Sequence, residues 1–386
     1  MAHPDCREIL ARLVGFDTVS AKSNLALIAW IADYLDGHGL AVRLTRDASG
    51  EKANLFATLG PAAAGGGVIL AGHTDVVPVA GQDWASDPFT LAERDGLFYG
   101  RGTADMKGFI ALVLALVPEA LARGLARPIH LALTFDEEVG CLGAPLLIAD
   151  LPDGAARPSL AIIGEPTGMT VANAHAGIEV FTTEVTGHPV HSSAPERGVN
   201  AITAACAIIG RIEALAAEAR ERAPVGSRFA PPHATVNIGT IAGGSALNIV
   251  AGDCRFTWSV RPLPGEESGA IAGRVERFVA EELLPRLRRI HPAAAVATRR
   301  IAAVPAFTAR NGSPAEALAL SLTGAAEPSV VSFVSEAGLY EQAGIPAVLC
   351  GPGSIEQAHQ ANEFISGKQL AAGAAFLRRL AALAAA

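Results

Sequence analysis

Apolar residues recur at three- and four-residue intervals near the start of the chain: Ile9, Leu10 and Leu13, then Leu27, Ile28, Ile31 and Leu35. That period predicts amphipathic helices over 5–15 and 24–38. The pattern then shifts to short, unbroken apolar runs. Val68–Leu70 leads to Gly72, Ile129–Phe135 leads to three acids, and Leu160–Ile163 leads to Gly164-Glu165-Pro166. Between the first two lies Met106–Ala122, a long apolar stretch that predicts a buried helix. Such strands, separated by helices, predict a mostly parallel sheet.

Near residue 176 the character changes. Strand Gly177–Thr186, helix Asn200–Ala219, strands Thr235–Ile241 and Cys254–Val260, helix Glu266–Arg288 and strand Ala294–Ile301 follow in turn. This β-α-β-β-α-β order is that of the ferredoxin-like split unit. After about residue 304 the first style returns, with helix Ala315–Leu322, buried strand Ala347–Cys350 and terminal helix Gln369–Ala384. The expected architecture is an α/β domain over 1–175 and 305–386, interrupted by an inserted α+β domain over 176–304. The Ala/Gly-rich stretch 61–67 is expected to be a surface turn, and the tail a packed helix rather than a membrane-surface one.

Composition narrows the function classes. A chain of 386 residues predicts two or three domains. With 50% apolar and 18% charged residues it can bury a large core, and disorder is excluded. A net charge of −8 argues against nucleic acid or an anionic membrane as partner. The longest clean apolar run, Phe109–Val117, stops at Pro118-Glu119, short of the roughly 20 residues a membrane span needs. The first ten residues alternate charged and apolar types, unlike a secretion signal, so a cytoplasmic location is expected. Five cysteines without a Cys-x-x-Cys pair fit a reducing compartment and argue against a thiolate zinc site.

The acids and histidines that close the apolar runs carry the chemistry. His73 follows one strand, Glu137 and Glu138 a second, and Glu165 a third. Asp105 precedes the long helix, and His359 follows a Gly351-Pro352-Gly353 turn. Each residue alone has an ordinary structural explanation: a hydrogen-bonded histidine, a solvated acidic loop, a turn, or a helix N-cap. Asp75, two residues past His73, could simply form a turn. Jointly they are harder to dismiss, because several acids at the ends of buried strands would be costly without a counter-charge. Sites in parallel sheets collect beyond the carboxyl ends of the strands. Two imidazoles with several carboxylates suit a pair of divalent ions, zinc or a relative such as cobalt or manganese. Gly-x-Ser-x-Gly is absent and no cysteine lies beside a plausible base, so serine or cysteine nucleophile chemistry has no support.

His73-Thr74-Asp75, the stretch Gly100–Gly108 (Gly-Arg-Gly-Thr-Ala-Asp-Met-Lys-Gly), Asp136-Glu137-Glu138, Gly164-Glu165-Pro166-Thr167 and His359 together resemble the M20 metallopeptidase family. The resemblance covers nearly the whole chain. Stretches 243–250, 260–265, 335–337 and 351–360 are most similar to members that remove acetate from N2-acetyl-L-ornithine. It implies a mostly parallel-sheet di-metal hydrolase domain with an inserted ferredoxin-like lid and dimerisation domain. His73 and Glu165 would hold one metal ion, Glu138 and His359 the other, and Asp105 would bridge them. The ions are expected to be Zn2+, with Co2+ an alternative. Glu137 would be the general base and Asp75 the acid orienting His73. A cis peptide is implied at Asp105–Met106. His191 would stabilise the oxyanion, reaching a neighbouring subunit's site in a homodimer. Asn248 and Arg261 would contact substrate.

Beyond the family pattern, Arg261 suits an α-carboxylate and Glu336 a distal ammonium. The expected substrate is therefore a small N-acyl amino acid. A desuccinylase of succinyl-diaminopimelate, a broad aminoacylase, and, in another class, a non-catalytic metal- or peptide-binding protein remain alternatives. His188 and the histidines at 3, 38, 130, 175, 233 and 291 are read as structural.

Overall fold

The structure is a computed structural model and describes residues 5–61 and 65–386. His3 and the centre of the Ala/Gly-rich stretch, 62–64, lie outside the described residues. The chain begins with α1 (Cys6–Val14), α2 (Leu25–Asp36), β1 (Val42–Arg46), β2 (Ala53–Leu59), β3 (Val68–His73), β4 (Ala92–Arg94) and β5 (Leu97–Tyr99). It continues through α3 (Lys107–Arg123), β6 (Ile129–Thr134), α4 (Ala144–Ala149), β7 (Leu160–Ile163) and β8 (Ala172–His175). Next come β9 (Ile178–Thr186), α5 (Ala201–Glu221), β10 (Thr235–Gly243), β11 (Asp253–Arg261), α6 (Ala270–Phe278), α7 (Leu284–Arg288) and β12 (Ala295–Val304). The last part holds β13 (Phe307–Thr308), α8 (Pro314–Thr323), β14 (Ser329–Val331), α9 (Ala337–Gln342), β15 (Ala347–Leu349), β16 (Phe364–Ser366) and α10 (Gly367–Ala384).

Two compact units result. One takes in the chain up to Ala174 together with Phe307–Val331 and Ser335–Ala386; the other is His175–Ala306 with Ser332–Val334. The main sheet runs β1-β2-β6-β3-β7-β15-β8-β13, with β14 beside β8. Its middle is parallel: β3 pairs in parallel with β6 and β7, and β7 with β15. The flank β1-β2 is antiparallel, as is the pairing of β2 with β6. The mostly parallel α/β architecture read from the sequence is therefore present, with antiparallel margins that the sequence reading did not distinguish.

Two of the missed strands differ in kind. β1 is largely exposed, so it shows no apolar run, and β2 is almost wholly buried. The small sheet β16-β5-β4 is built from three-residue strands too short to show a period. α3 is buried on nearly every side, which accounts for its apolar composition. It packs against the sheet among Leu13, Leu70, Leu131 and Phe376 of the same core. At the carboxyl end of β7, Gly164 meets the ring of Phe109 so closely that a Cβ would lie 2.1 Å from it. Only glycine permits that approach, and it sets where Glu165 emerges.

The second unit carries a four-stranded antiparallel sheet, β10-β11-β9-β12. α5, α6 and α7 pack on one face through Ile208, Ile212, Val275 and Leu287, against Phe181, Phe256 and Trp258. The helix expected over 266–288 starts later, after left-handed Gly269, and widens into a π-type turn over 279–283. Pro285 explains the interruption, since it has no N–H to continue the ladder.

Candidate metal centre

The register of the parallel strands brings distant residues together. His73 ends β3 opposite Thr134 of β6, and Ala71 lies opposite Ile163 of β7. The residues that follow these strands, Asp136–Glu138 and Glu165, therefore leave the sheet at one edge. Asp105 enters from the turn before α3, across a cis peptide to Met106. His359, in a left-handed conformation at φ 64°, enters from the loop after β15.

Asp105 is the centre of this group. One carboxylate oxygen lies 3.0 Å from His73 Nε2 and the other 3.2 Å from His359 Nε2. His359 Nε2 also lies 3.0 Å from a Glu138 oxygen. Two triplets form, His73–Asp105–Glu165 and Asp105–Glu138–His359, each with ligand atoms within 4.8 Å of one another. They share Asp105. Glu165 is buried, and its Oε1 has no hydrogen-bond partner. An orphaned buried carboxylate oxygen is costly unless a cation answers it. Two nitrogen-and-oxygen triplets joined by one carboxylate fit a pair of divalent ions, so the donor set passes this test.

The electrostatics of the group agree with this reading. Hydrogen bonds to Asp105 and Glu138 raise the His359 imidazole to about 10. Burial draws His73 down, but Asp105, Glu137 and Asp75 outweigh it and hold it well above the ordinary range. Burial, then the Asp105 charge, push Glu138 up to about 7 and Glu165 well above its usual value. Glu137 is raised by burial and by Glu165. His73, His359, Glu137, Glu138 and Glu165 thus all hold a proton more tightly than usual, while hydrogen bonds from His359 and His73 keep Asp105 charged.

Asp75 acts differently from the sequence expectation. His73 Nδ1 donates to the Asp75 main-chain carbonyl at 2.9 Å, whereas the nearer carboxylate oxygen is 3.7 Å away. The carbonyl therefore fixes the ring and leaves Nε2 as the ligand nitrogen. The carboxylate instead accepts from Ser20 Oγ at 2.7 Å and from the main-chain N–H groups of Glu137 and Glu138 at 3.1 and 3.3 Å. It fastens the acidic loop.

Sequence reasoning did not single out three supporting residues. Glu363, 1% exposed, accepts from Ala104 and Asp105 N–H with one oxygen, and from Gly102 N–H and the Arg101 guanidinium with the other. Cys141 offers its thiol to Glu137 at 3.5 Å. Lys107 is wholly buried, donates to the Phe16 carbonyl at 2.8 Å and is lowered by burial to about 7. Glu363 follows His359 by four residues, a spacing that was the one available hint.

The remaining predicted residues fall as follows. Glu336 lies in the same unit as the cluster, 1% exposed, raised by burial to about 7, with neither oxygen in a well-formed hydrogen bond. In the second unit His191 pairs through its main chain with Ile249, beside exposed Asn248. Arg261, at the end of β11, lines a cavity of about 380 Å³ with Phe229, His233 and Phe333. Its Nη1 is buried without a partner. His188 stacks on His291 at 4.1 Å, and His130 is held by Thr58 and the Gly66 carbonyl.

The family model for peptidase family M20/M25/M40 matches residues 69–383. An acetylornithine deacetylase of Proteus mirabilis (strain HI4320) is 35% identical over 370 residues, 94% of this chain and 92% of that one. Among solved structures, an M20 family metallo-carboxypeptidase from Sulfolobus solfataricus superposes with a TM-score of 0.79 at 15% identity, covering 99% and 100% of the two chains. A dinuclear metal-binding M20 peptidase from Bacillus subtilis gives 0.65 at 16% identity, over 98% and 97%.

Proposed function

Because the chain belongs to peptidase family M20/M25/M40, we propose that it is a two-metal amidohydrolase that cleaves N2-acetyl-L-ornithine to L-ornithine and acetate, in arginine biosynthesis. The observation that carries the hydrolytic reading is the pair of ligand triplets joined at Asp105, with the carboxyl group of Glu137 outside both. The choice of substrate leans on the identity to the Proteus mirabilis deacetylase.

Bound divalent ions would supply Lewis-acid polarisation and a water acidic enough to react near neutrality. His73 and Glu165 would hold one ion, Glu138 and His359 the other, with Asp105 between them; zinc suits the donors best and cobalt is the alternative. Glu137 takes a proton from the attacking water as its oxygen joins the acyl carbon. It then gives that proton to the departing amine nitrogen as the carbon–nitrogen bond breaks. His191 donates a hydrogen bond to the oxyanion that forms between these steps. Arg261, with an unpaired buried N–H group, takes the substrate α-carboxylate, and Asn248 makes a further polar contact.

Glu336 is the acid offered to the distal ammonium. Its burial means that an ammonium would reach it only after the covering side chains part; meanwhile the His73 charge draws its carboxyl down against the rise that burial imposes. Comparing kcat/KM for acetylornithine, succinyl-diaminopimelate and acetylmethionine decides the substrate. Preference for either of the last two rejects the deacetylase reading in favour of a desuccinylase or aminoacylase. A non-catalytic binder on this scaffold would turn over none of them.

We further propose a homodimer formed through the second unit. Ile202, Ile241, Leu247 and Ile249 are exposed there, and β10 is an edge strand of its sheet. No helix among the described residues is long and apolar enough to cross a membrane; a cytoplasmic location is part of the proposal.

A further inference from the structure

His191 has two neighbours at one ring nitrogen. Its Nδ1 lies 2.8 Å from the Ser193 hydroxyl and 3.2 Å from the Ser193 main-chain nitrogen. A main-chain N–H can only donate, so Nδ1 must present its lone pair there. In a neutral imidazole the proton is then on Nε2. The surrounding loop is pinned from both sides: Ser192 N–H donates to the Asn248 carbonyl at 2.9 Å, Val250 N–H to the Val190 carbonyl at 2.8 Å, and Ala194 N–H to the His191 carbonyl at 3.0 Å. His191 is exposed, and its Nε2 makes no hydrogen bond to a described residue.

We propose that Ser193 is a positioning residue that locks His191 in the Nε2–H tautomer, so that the exposed ring nitrogen is a ready donor to an anionic oxygen. The proposal deepens the oxyanion role given to His191 above and rests on it for its kinetic consequence, though not for its structural one. The opposite tautomer would place an N–H against the Ser193 N–H and leave Nε2 able only to accept. It would repel the oxygen it is meant to stabilise. Ser193 is therefore tied to the chemistry through the proton on His191 and touches neither substrate nor metal itself.

Long-range nitrogen–proton NMR of ¹⁵N-labelled protein, with the His191 signals assigned by their loss in His191→Asn, tests the structural part. At pH values where the ring is neutral, the expected pattern is a pyridine-like Nδ1 and a pyrrole-like Nε2. In Ser193→Ala the main-chain donor persists and the hydroxyl is lost, so the two forms begin to mix. The same variant should lower kcat by about three- to tenfold, the weight of one hydrogen bond, with KM unchanged, and Ser193→Thr should restore it. A pyrrole-like Nδ1 in the unaltered protein overturns the proposal, as does full kcat in Ser193→Ala. His191→Ala separates the two readings: full turnover there removes the oxyanion role while the NMR result still judges the tautomer.

Discussion

At the residue scale, four of the five ligand groups hold their protons more tightly than usual, while Asp105, between His359 and His73, is held in its charged form. Its acidic neighbours push His359 up to about 10, burial pushes Glu138 up to about 7, and His73 and Glu165 are also raised. Ligands must shed these protons to bind. Metal binding at pH 7 should therefore release more than one proton, and affinity should climb with pH through the range from 7 to 10. Zinc titrations by calorimetry in buffers of different ionisation enthalpy measure this directly; identical heats in all buffers would show that no proton leaves. Glu137 makes a separate prediction, since its carboxyl group belongs to neither triplet. Glu137→Ala should cut kcat by about 10²- to 10⁴-fold while zinc content by atomic emission stays at the level of the unaltered protein. A proportional loss of metal would mean that Glu137 is a ligand instead. His73, Glu137, Glu138 and Glu165 were legible because each follows a buried apolar run, where an acid or imidazole is out of keeping with burial, whereas Asp105 and His359 stood out only through the motifs shared with the M20 family. The part played by Asp75 was not. Whether a carbonyl or a carboxylate meets His73 depends on the local backbone path, which residue type and spacing do not encode.

Elements impose the next level of order. The turn 101–105 has little regular structure of its own, yet it must hold Asp105 between two histidines. Glu363, from the segment just before β16, answers three of its main-chain N–H groups and the Arg101 guanidinium. Both partners of that ion pair are 1% exposed. Removing one member of a buried pair strands the other charge, so Glu363→Ala should destabilise the fold by about 3–5 kcal/mol, read from the shift in the urea midpoint. Glu363→Gln, which keeps one acceptor, should lose less, and both should bind zinc more weakly as the Asp105 turn loosens. Unchanged stability in the alanine variant would show that the turn holds itself. This link spans more than 250 residues of sequence and leaves no periodic trace, which is why the strands and long helices could be read in advance and the clamp between them could not. The π-type turn between α6 and α7 had a trace in Pro285, but a proline within a helical period marks a disturbance without saying which kind.

At the scale of the whole molecule the question is whether one chain suffices. On the second unit the loop carrying Leu247, wholly exposed, and Ile249 adjoins both the edge strand β10 and His191. A two-fold dimer through this face would cover the apolar residues and pair the open edge. Leu247→Asp combined with Ile241→Asp should then yield a monomer by light scattering, with turnover falling if His191 serves the partner's site. A mixing experiment distinguishes that arrangement from one in which His191 serves its own chain. Glu137→Ala and His191→Ala each lack one necessary group. Unfolded and refolded together, they form mixed dimers in which one of the two sites combines an intact Glu137 with an intact His191 from the other chain. Statistical mixing makes about half of the dimers mixed, so activity should return to about a quarter of that of the unaltered protein. If His191 acts only within its own chain, every site in the mixture still lacks one of the two groups, and co-refolding restores nothing beyond the sum of the separately refolded variants.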